Sequence, residues 1–229
     1  VANDEFETVL YTGNGSTQTI PMANITGGVD FAWHKDRATS LGHSIYDTLR
    51  GSTLRLNSAS TAADQTTAGG TTFSASSIGV SQTGTATNEN GTTYVAWCAS
   101  LPNHTPSNTD GTITSETKSN SFMSAVSWTG TGANATVGHG LNVVPDMIIV
   151  KNRINGTTFW GSYHKAVIVG SLLALNATSS AWADSSNFTT TTPTTSVFSL
   201  GTNVATNGST NSMIAYCFTS KPGFSKVGS

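Results

Sequence analysis

The chain has 229 residues, with ten basic and twelve acidic side chains, a formal net charge of -2 and only 10% charged residues. Soluble domains average roughly 25% charged residues, and here Ser, Thr, Gly and Asn take their place. The low net charge and the 36% hydrophobic share exclude a disordered chain. The scattered charges exclude an electrostatic footprint for nucleic acid or for an anionic membrane, so neither is an expected partner.

The predicted elements are short β-strands separated by turns rich in Gly, Asn and Ser. In chain order the clearest strands are "FETVLYT", "DFAWHK", "TYVAWCA", "DMIIVKN" and "SMIAYCF". They are rich in β-branched and aromatic residues, and no long window repeats apolar residues at helical spacing. About seven or eight short strands in each half of the chain predict β-sandwiches, of jelly-roll or immunoglobulin-like type.

Four blocks of the first half recur in the second half in the same order. The pairs are "VLYTGNGS" with "VSWTGTGA", "VDFAWHKDR" with "PDMIIVKNR", "GSTLRLNSAS" with "GSLLALNATS", and "ATNENGTTYVAWCAS" with "ATNGSTNSMIAYCFTS". We therefore predict an all-β chain of two tandem β-sandwich domains. The predicted boundaries are 1–100 for the first repeat, 101–121 for a turn-rich linker, 122–221 for the second repeat and 222–229 for a C-terminal tail. The tail fits the start of a third repeat, because "FSKVGS" echoes the opening "FETVLYTG".

The two cysteines, Cys98 and Cys217, stand at matching positions of the last pair of blocks. Equivalent core positions of two separate domains cannot reach the Cα separation of roughly 5.5 Å that a disulfide needs. We therefore predict two buried free thiols that fill the cores, with a cross-domain disulfide as the alternative. Neither cysteine has a CxxC or a nearby His partner, so no metal site is expected.

One segment fits the Gly-x-Gly-x-x-Ala pattern of phosphate-binding loops. It is "GTGANA", and its counterpart in the first half, "GNGSTQ", lacks the third small residue. A phosphate loop needs a helix after it, whereas a turn and a strand follow here. We therefore interpret both segments as hairpin turns and expect no cofactor.

The acidic and histidine residues are not arranged as catalytic sets. His43, Ser44 and Asp47 are close in sequence, but triads are recognised by spatial roles, and local hydrogen bonding is the expected role. Asp30 and Asp146 each precede a strand, which favours a turn over the paired carboxylates of a glycosidase. We predict no catalytic residue and no enzyme activity.

The charges of Lys35 with Arg37 recur as Lys151 with Arg153 in a chain that has few charges. Residues two apart share one face of a strand, so each pair projects to one side. The favoured interpretation is a solvated strand end that pairs with a nearby Asp. The alternative is a repeated surface that contacts a ligand such as a sugar hydroxyl.

The tryptophans offer a second signal for sugar binding. Trp33 and Trp160 have flat apolar rings that could stack on a sugar, although aromatic residues in short strands are more often part of the core. The candidate surface contacts are therefore Lys35, Arg37, Lys151, Arg153, Trp33 and Trp160.

The order of these motifs resembles a repeat domain common in structural proteins of tailed bacteriophages. In that family the pattern runs approximately Trp-Ile-Lys-Asn-Arg, His, Asp-Thr-Val-Arg-Gly and Tyr-Val-Ala-Trp-Cys. The first half has the matching residues His43, Asp47, Thr48, Arg50, Gly51 and Tyr94 to Cys98, with His34 and Asp36 where the family usually has Ile and Asn. The second half keeps "KNR" but has "HKAVIV" in place of the Asp-Thr-x-Arg stretch.

The resemblance implies a role at a virion surface more than a chemistry. We expect a non-enzymatic structural or adhesion component, such as a tail fibre, capsid decoration or tail protein, or part of an extracellular filament. Its expected partners are other subunits of a homo-oligomer. The alternative is a carbohydrate-binding module that recognises a host-surface glycan during host attachment.

Overall fold

The structure is a computed structural model that describes residues 4–68, 70–81 and 86–228. Strands account for 42% of the residues and helix for 2%, so the predicted all-β class is confirmed. The chain divides into two compact units, Val1–Pro102 and Asn103–Ser229.

The first unit is built from short antiparallel sheets. Its strands are β1 (Phe6–Thr12), β2 (Gln18–Pro21), β3 (Phe31–Asp36), β4 (Ser44–Asp47), β5 (Leu54–Arg55), β6 (Gln65–Thr66), β7 (Thr71–Phe73), β8 (Ser77–Val80) and β9 (Thr93–Ala99). They form a sheet of order β1-β9-β3-β4, a sheet of order β2-β8-β7 and the pair β5-β6. One core joins the first two sheets, with Ile20, Ile78 and Val80 from β2 and β8 and Ala32, Ala96 and Cys98 from β3 and β9.

The second unit has one larger sheet. Its elements are β10 (Asn103–Asn108), β11 (Ser115–Ser119), β12 (Met123–Thr129), β13 (Ala135–Gly138), β14 (Met147–Asn152), β15 (Gly161–His164), β16 (Ser171–Ala174), β17 (Trp182–Ala183), β18 (Val197–Leu200), α1 (Val204–Asn207) and β19 (Ser212–Phe218). The eight-stranded sheet has the order β10-β11-β12-β19-β14-β15-β16-β17, and β13 pairs with β18. Within the described ranges no helix has the length and apolar character to cross a membrane.

The main sheets of the two units share one strand order. β1-β9-β3-β4 in the first unit corresponds to β12-β19-β14-β15 in the second. The registers also correspond, since Trp33 faces Trp97 between β3 and β9 while Ile149 faces Tyr216 between β14 and β19. The matched sequence blocks therefore fall on matched register positions.

The predicted linker at residues 101–121 differs from the structure. Both β10 and β11 lie in this segment, and β11 pairs with β12 from Ser115 opposite Trp128 to Ser119 opposite Ser124. The unit boundary falls after Pro102 instead. The segment looks like a loop in sequence because the buried positions of β11 carry small hydroxyl side chains rather than apolar ones.

The C-terminal tail folds back onto the second unit. Phe224 packs against Phe122 with ring centroids 4.9 Å apart, and the Lys221 ammonium lies 5.7 Å from the centre of the Phe224 ring. The Val227 amide donates to the Ser220 hydroxyl at 3.0 Å. The described part of the tail is therefore not a strand of a further sheet.

Candidate functional sites

The Gly-x-Gly segment of the first unit is a turn closed by Asn88. The Gly13 amide donates to the Thr92 carbonyl at 2.8 Å, and the Gly15 amide donates to the Asn88 carbonyl at 3.1 Å. The Asn14 amide between them donates to Asn88 Oδ1 at 3.1 Å. Asn88 has no exposed surface. The three amide groups that a phosphate would need are therefore all occupied.

The second unit repeats this arrangement. The Gly130 and Gly132 amides donate to the carbonyls of Asn211 and Asn207 at 2.9 and 2.8 Å, and the Thr131 amide donates to Asn207 Oδ1 at 3.0 Å. A Cβ on Gly130 would lie 2.2 Å from a backbone carbonyl oxygen, which only glycine avoids. The turn interpretation is confirmed, but the turn is not a hairpin, since it joins β12 to β13 in different sheets.

Asp30 and Asp146 each form hydrogen bonds with the segment that follows the central strand, β9 in the first unit and β19 in the second. Asp30 Oδ2 accepts from the Leu101 amide at 2.9 Å and its Oδ1 accepts from the Thr48 hydroxyl at 2.8 Å. Asp146 Oδ2 accepts from the Ser220 amide at 2.8 Å, and Lys165 Nζ lies 3.0 Å from its Oδ1. Burial alone would raise the pKa of Asp146, but these bonds outweigh it and hold the pKa below its usual value. Both aspartates therefore have internal roles.

Lys151 is fully buried, so its prediction as a surface contact is wrong. Its ammonium donates to the carbonyls of Asn152, Asn155 and Thr158 at 2.9, 3.3 and 3.2 Å. A lysine can be buried in this way because several carbonyl dipoles replace water around the charge. The side chain closes the loop that follows β14.

Lys35 closes the equivalent loop after β3 in the first unit. Its ammonium donates to the Asp36 carbonyl and, at 3.0 Å, to the Thr39 carbonyl. The Asp36 carboxylate in turn accepts from the amides of Ala38 and Thr39 at 2.7 and 3.0 Å. Hydrogen bonds from Thr39 and Ala38 outweigh the opposing effect of burial and lower the pKa of Asp36. Lys35 itself is half-buried.

The remaining predicted contacts differ in exposure. Arg37 is exposed and Arg153 is half-buried, and their backbone amides donate to the carbonyls of Thr93 and Ser212. Trp160 has no exposed surface, so its prediction as a surface contact is wrong, because the core holds the whole indole. Trp33 is half-buried. The structure therefore leaves Arg37, Arg153, Lys35 and Trp33 at the surface in whole or in part.

His43, Ser44 and Asp47 do not form a triad. His43 Nδ1 accepts from the Trp33 indole N–H at 2.7 Å, and Ser44 Oγ accepts from Arg55 Nε at 2.7 Å. Asp47 forms an ion pair of 2.6 Å with Arg50. Each of the three side chains is therefore held by a different partner, as expected for local hydrogen bonding.

Arg50 is the centre of a buried ionic cluster behind β4. Its guanidinium contacts the Asp47 carboxylate at 2.6 Å and the Asp64 carboxylate at 2.9 Å. It also donates to the carbonyls of Leu54 and Ile45, both at 3.0 Å. The planar fork of Arg suits this set of acceptors, so the "DTLRG" motif ties the loop between β4 and β6 to the sheet.

His34 lies in a polar network inside the first core. Tyr11 donates its hydroxyl proton to the Thr87 carbonyl at 2.7 Å and therefore accepts from His34 Nδ1 at 3.1 Å. His34 Nε2 is then the acceptor of the Thr71 hydroxyl at 3.0 Å. Burial lowers the pKa of His34 to about 3, so the imidazole is neutral near pH 7. This histidine has a structural role.

The outer side of the first unit carries an aromatic face formed by Trp33, His43 and Trp97. Trp33 and Trp97 are cross-strand neighbours, and the His43 ring is nearly parallel to Trp97, with an angle of 13° and centroids 6.3 Å apart. Burial and the charge of Lys35 lower the pKa of His43, which favours the neutral ring near pH 7. Since His43 Nδ1 accepts from Trp33, the imidazole proton is on Nε2. The face combines flat apolar rings with the Nε2–H donor of His43.

The equivalent positions of the second unit are buried. Ile149, Trp160 and Tyr216 occupy the register positions of the aromatic face, and each is at most 2% exposed. The aromatic face is therefore particular to the first unit.

The second unit has a polar cleft of about 350 Å³. Its lining is made of amide, hydroxyl and carboxylate side chains with one glycine: Asn103, Thr105, Ser107, Asn108, Thr109, Asp110, Ser119, Gly140 and Asn142. Among the described residues there is no group of three or more His, Cys, Asp or Glu that could hold a metal ion.

Cys98 and Cys217 occupy matching positions in the cores of their own units, and both are free and buried. Burial raises the pKa of both thiols to about 12. Thiols in such surroundings are inert, because the thiolate is the reactive form. The predicted role as core fillers is confirmed.

Sequence reasoning missed Asn88 and Asn207 as key residues. The signal was present, since both stand at the same place in the matched blocks that begin "ATN".

No curated protein and no solved structure matches the chain. A family model described as a domain of unknown function, DUF7483, matches residues 2–229. The chain therefore belongs to the DUF7483 family.

Proposed function

We propose that the chain is a non-enzymatic structural or adhesion component of a phage virion, such as a fibre, decoration or tail protein, or of an extracellular filament. It consists of two copies of one β-sandwich unit and works at a virion surface or outside the cell. Its partners are other subunits, in a homo-oligomer.

The observation that carries this proposal is that the repeated polar side chains bond the backbone of their own unit. Asn88 and Asn207, and likewise Asp30 and Asp146, bond backbone groups of their own unit. Lys151 does the same with its whole side chain buried. Repeated polar residues that bond the backbone of their own unit stabilise a rigid scaffold rather than take part in a reaction.

The sandwich interpretation is supported by the cores. In the first unit, residues from β2 and β8 pack in one cluster with residues from β3 and β9 of the main sheet. In the second unit, β13 and β18 contribute to one cluster with β12, β14 and β19. Two sheets that share a core in this way are the basic arrangement of a sandwich.

The virion assignment is supported by the sequence resemblance, and the structure gives its motifs a physical role. "TYVAWC" supplies the central strand β9, and Arg50 of "DTLRG" holds the loop after β4. The loss of this Arg in the second unit therefore changes a loop attachment and leaves the strand order intact.

Electron microscopy with gold-labelled antibodies tests the proposal. Antibodies raised against the whole chain should decorate the surface of purified particles or filaments from its source, and the chain should be found in their peptide digests. A chain that is recovered only from the soluble fraction of infected cells would contradict the proposal.

The aromatic face favours a second candidate function, the binding of a host-surface glycan. The ring faces of Trp33 and Trp97 offer apolar area to the C–H groups of a pyranose, and His43 Nε2–H is a donor for a sugar hydroxyl. Since His43 is neutral, we expect a neutral sugar rather than an anionic one.

A glycan array probed with the whole chain tests this candidate. The substitution Trp97→Leu keeps an apolar side chain but removes the flat ring, so it should weaken binding by about tenfold. Leu175→Ala, at an exposed position of the second unit, should bind as the wild type does. Absence of binding to any glycan, or binding that Trp97→Leu leaves unchanged, would overturn the candidate.

A further inference from the structure

β1 is the edge strand of its sheet, although the equivalent strand of the second unit is not an edge. In the second unit β12 lies between β19 and β11, and β11 pairs with it antiparallel over five residues, Ser115–Ser119. In the first unit β1 pairs with β9 on one side, and among residues 4–68, 70–81 and 86–228 no strand pairs with its other side. Within these residues, the same sheet extends beyond β12 in the second unit and ends at β1 in the first.

β1 lacks several of the features that usually protect an edge. Natural edge strands carry Pro, Lys or a bulge, or are very short, and β10 at the edge of the second sheet contains Pro106. β1 has seven residues, "FETVLYT", with no Pro, no Lys and an unbroken register with β9. Leu10 is 61% exposed on it. An edge of this kind accepts another strand.

The one charged residue of β1 is already bound within its own unit. The Glu7 carboxylate accepts from the amides of Ala23 and Asn24, both at 2.8 Å. It is therefore committed to the turn after β2 in its own unit. A neighbouring strand would meet no free charge.

We propose that β1 pairs with β1 of a second copy of this chain, antiparallel and two-fold symmetric about Val9. This inference rests on the proposed homo-oligomeric structural role and names its contact. The two four-stranded sheets join into one of eight strands, the number that the main sheet of the second unit has.

The sequence of β1 fits self-pairing. With Val9 opposite Val9, Thr8 lies opposite Leu10 and Glu7 lies opposite Tyr11, so no like charges face each other. A two-fold axis perpendicular to the sheet keeps Val9 and Tyr11, which pack on the core, on the same side in both copies. The pairing is antiparallel, as it is between β11 and β12. It also makes an isologous contact, the commonest kind in homo-oligomers.

Sedimentation and light scattering of the whole chain over a range of concentrations test the pairing. The wild type should form a dimer. The double substitution Thr8→Lys with Leu10→Lys places lysines directly opposite each other across the axis, so the dimer dissociation constant should rise by about tenfold. Ile168→Lys, at a position that is 83% exposed in the second unit, is the matched control and should leave the dimer unchanged.

A charge swap separates lost pairing from lost folding. Thr8→Glu with Leu10→Lys places opposite charges across the same axis and should restore the dimer. A monomer at every concentration, or a dimer that the two lysines do not weaken, would overturn the proposal. A monomeric chain that still decorates particles would overturn this pairing alone and leave the proposed virion role standing.

Discussion

Asn88 and Asn207 occupy matching positions in the two units, and each closes a Gly-x-Gly turn with its side chain. Asn88 Oδ1 accepts from the Asn14 amide, and Asn207 Oδ1 accepts from the Thr131 amide. Both side chains are completely buried. Two turns that look like ligand loops in the sequence are therefore filled by a residue from the other end of the same unit.

The substitution Asn207→Asp tests the strength of this closure. The Asn207 amide donates to the carbonyls of Ala133 and Gly201 at 2.7 and 3.0 Å, and a carboxylate cannot donate. We expect the free energy of unfolding to fall by about 2–4 kcal/mol, since both carbonyls lose their donor and a charge is placed at a fully buried position. Urea unfolding measures the change. Asn134→Asp, at an exposed position, should have little effect, and equal effects of the two substitutions would contradict the prediction.

His34 should make the stability of the chain depend on pH. Its pKa is about 3 when folded, against 6.5 as the ordinary value, so the unfolded state binds more protons between these values. The stabilisation is complete above about pH 6.5 and is lost as the pH falls towards 3, by up to about 1.4 kcal/mol per pH unit. His34→Val, which copies Val150 of the second unit, should remove about 2 kcal/mol of the decrease between pH 6.5 and 5. Parallel pH curves for the two proteins in urea unfolding would contradict this.

Lys151 and Lys35 form a natural matched pair. Lys151→Met should lower the free energy of unfolding by about 2–4 kcal/mol, because the buried carbonyls of Asn152 and Thr158 lose their donor. Lys35→Met should cost about 1 kcal/mol or less, because water can reach the half-buried position. Chemical unfolding of both variants measures the two losses of free energy. A larger loss for Lys35→Met would show that burial does not determine the size of the loss.

Arg50→Met should be among the most destabilising substitutions in the first unit. It removes the guanidinium from the buried Asp47 carboxylate, and breaking a buried ion pair typically costs about 3–5 kcal/mol. Since the pair is shielded from solvent, added salt should change the loss little. Thermal unfolding at low and high salt measures both effects, with the exposed Arg37→Met as control. A loss that disappears in high salt would contradict a buried pair.

The sequence predicted β1, β3 and β9 of the first main sheet and β14 and β19 of the second, because these strands carry apolar and aromatic residues in matched phrases. It did not predict β11, where Ser115, Thr117 and Ser119 take the buried positions that apolar residues usually fill. The hydroxyl groups of such a chain suit a strand as well as a turn. Composition alone therefore could not separate the two.

The candidate site was less predictable than the fold. Lys151 was expected at the surface because lysine is rarely buried, and only the three-dimensional position of the loop carbonyls shows how its charge is satisfied. Asp36 in the first unit has the same role as Asn152 in the second, since each side chain accepts from the amides of the loop that follows its strand. This equivalence depends on a loop geometry that the aligned letters do not contain.

A cryo-electron microscopy map of the assembled particle or filament tests the central claim most directly. The account predicts surface density for both units, with the strand orders β1-β9-β3-β4 and β12-β19-β14-β15 and with Lys151 enclosed by its own loop. Particles that lack the chain, or a map in which the two units differ in strand order, would contradict it.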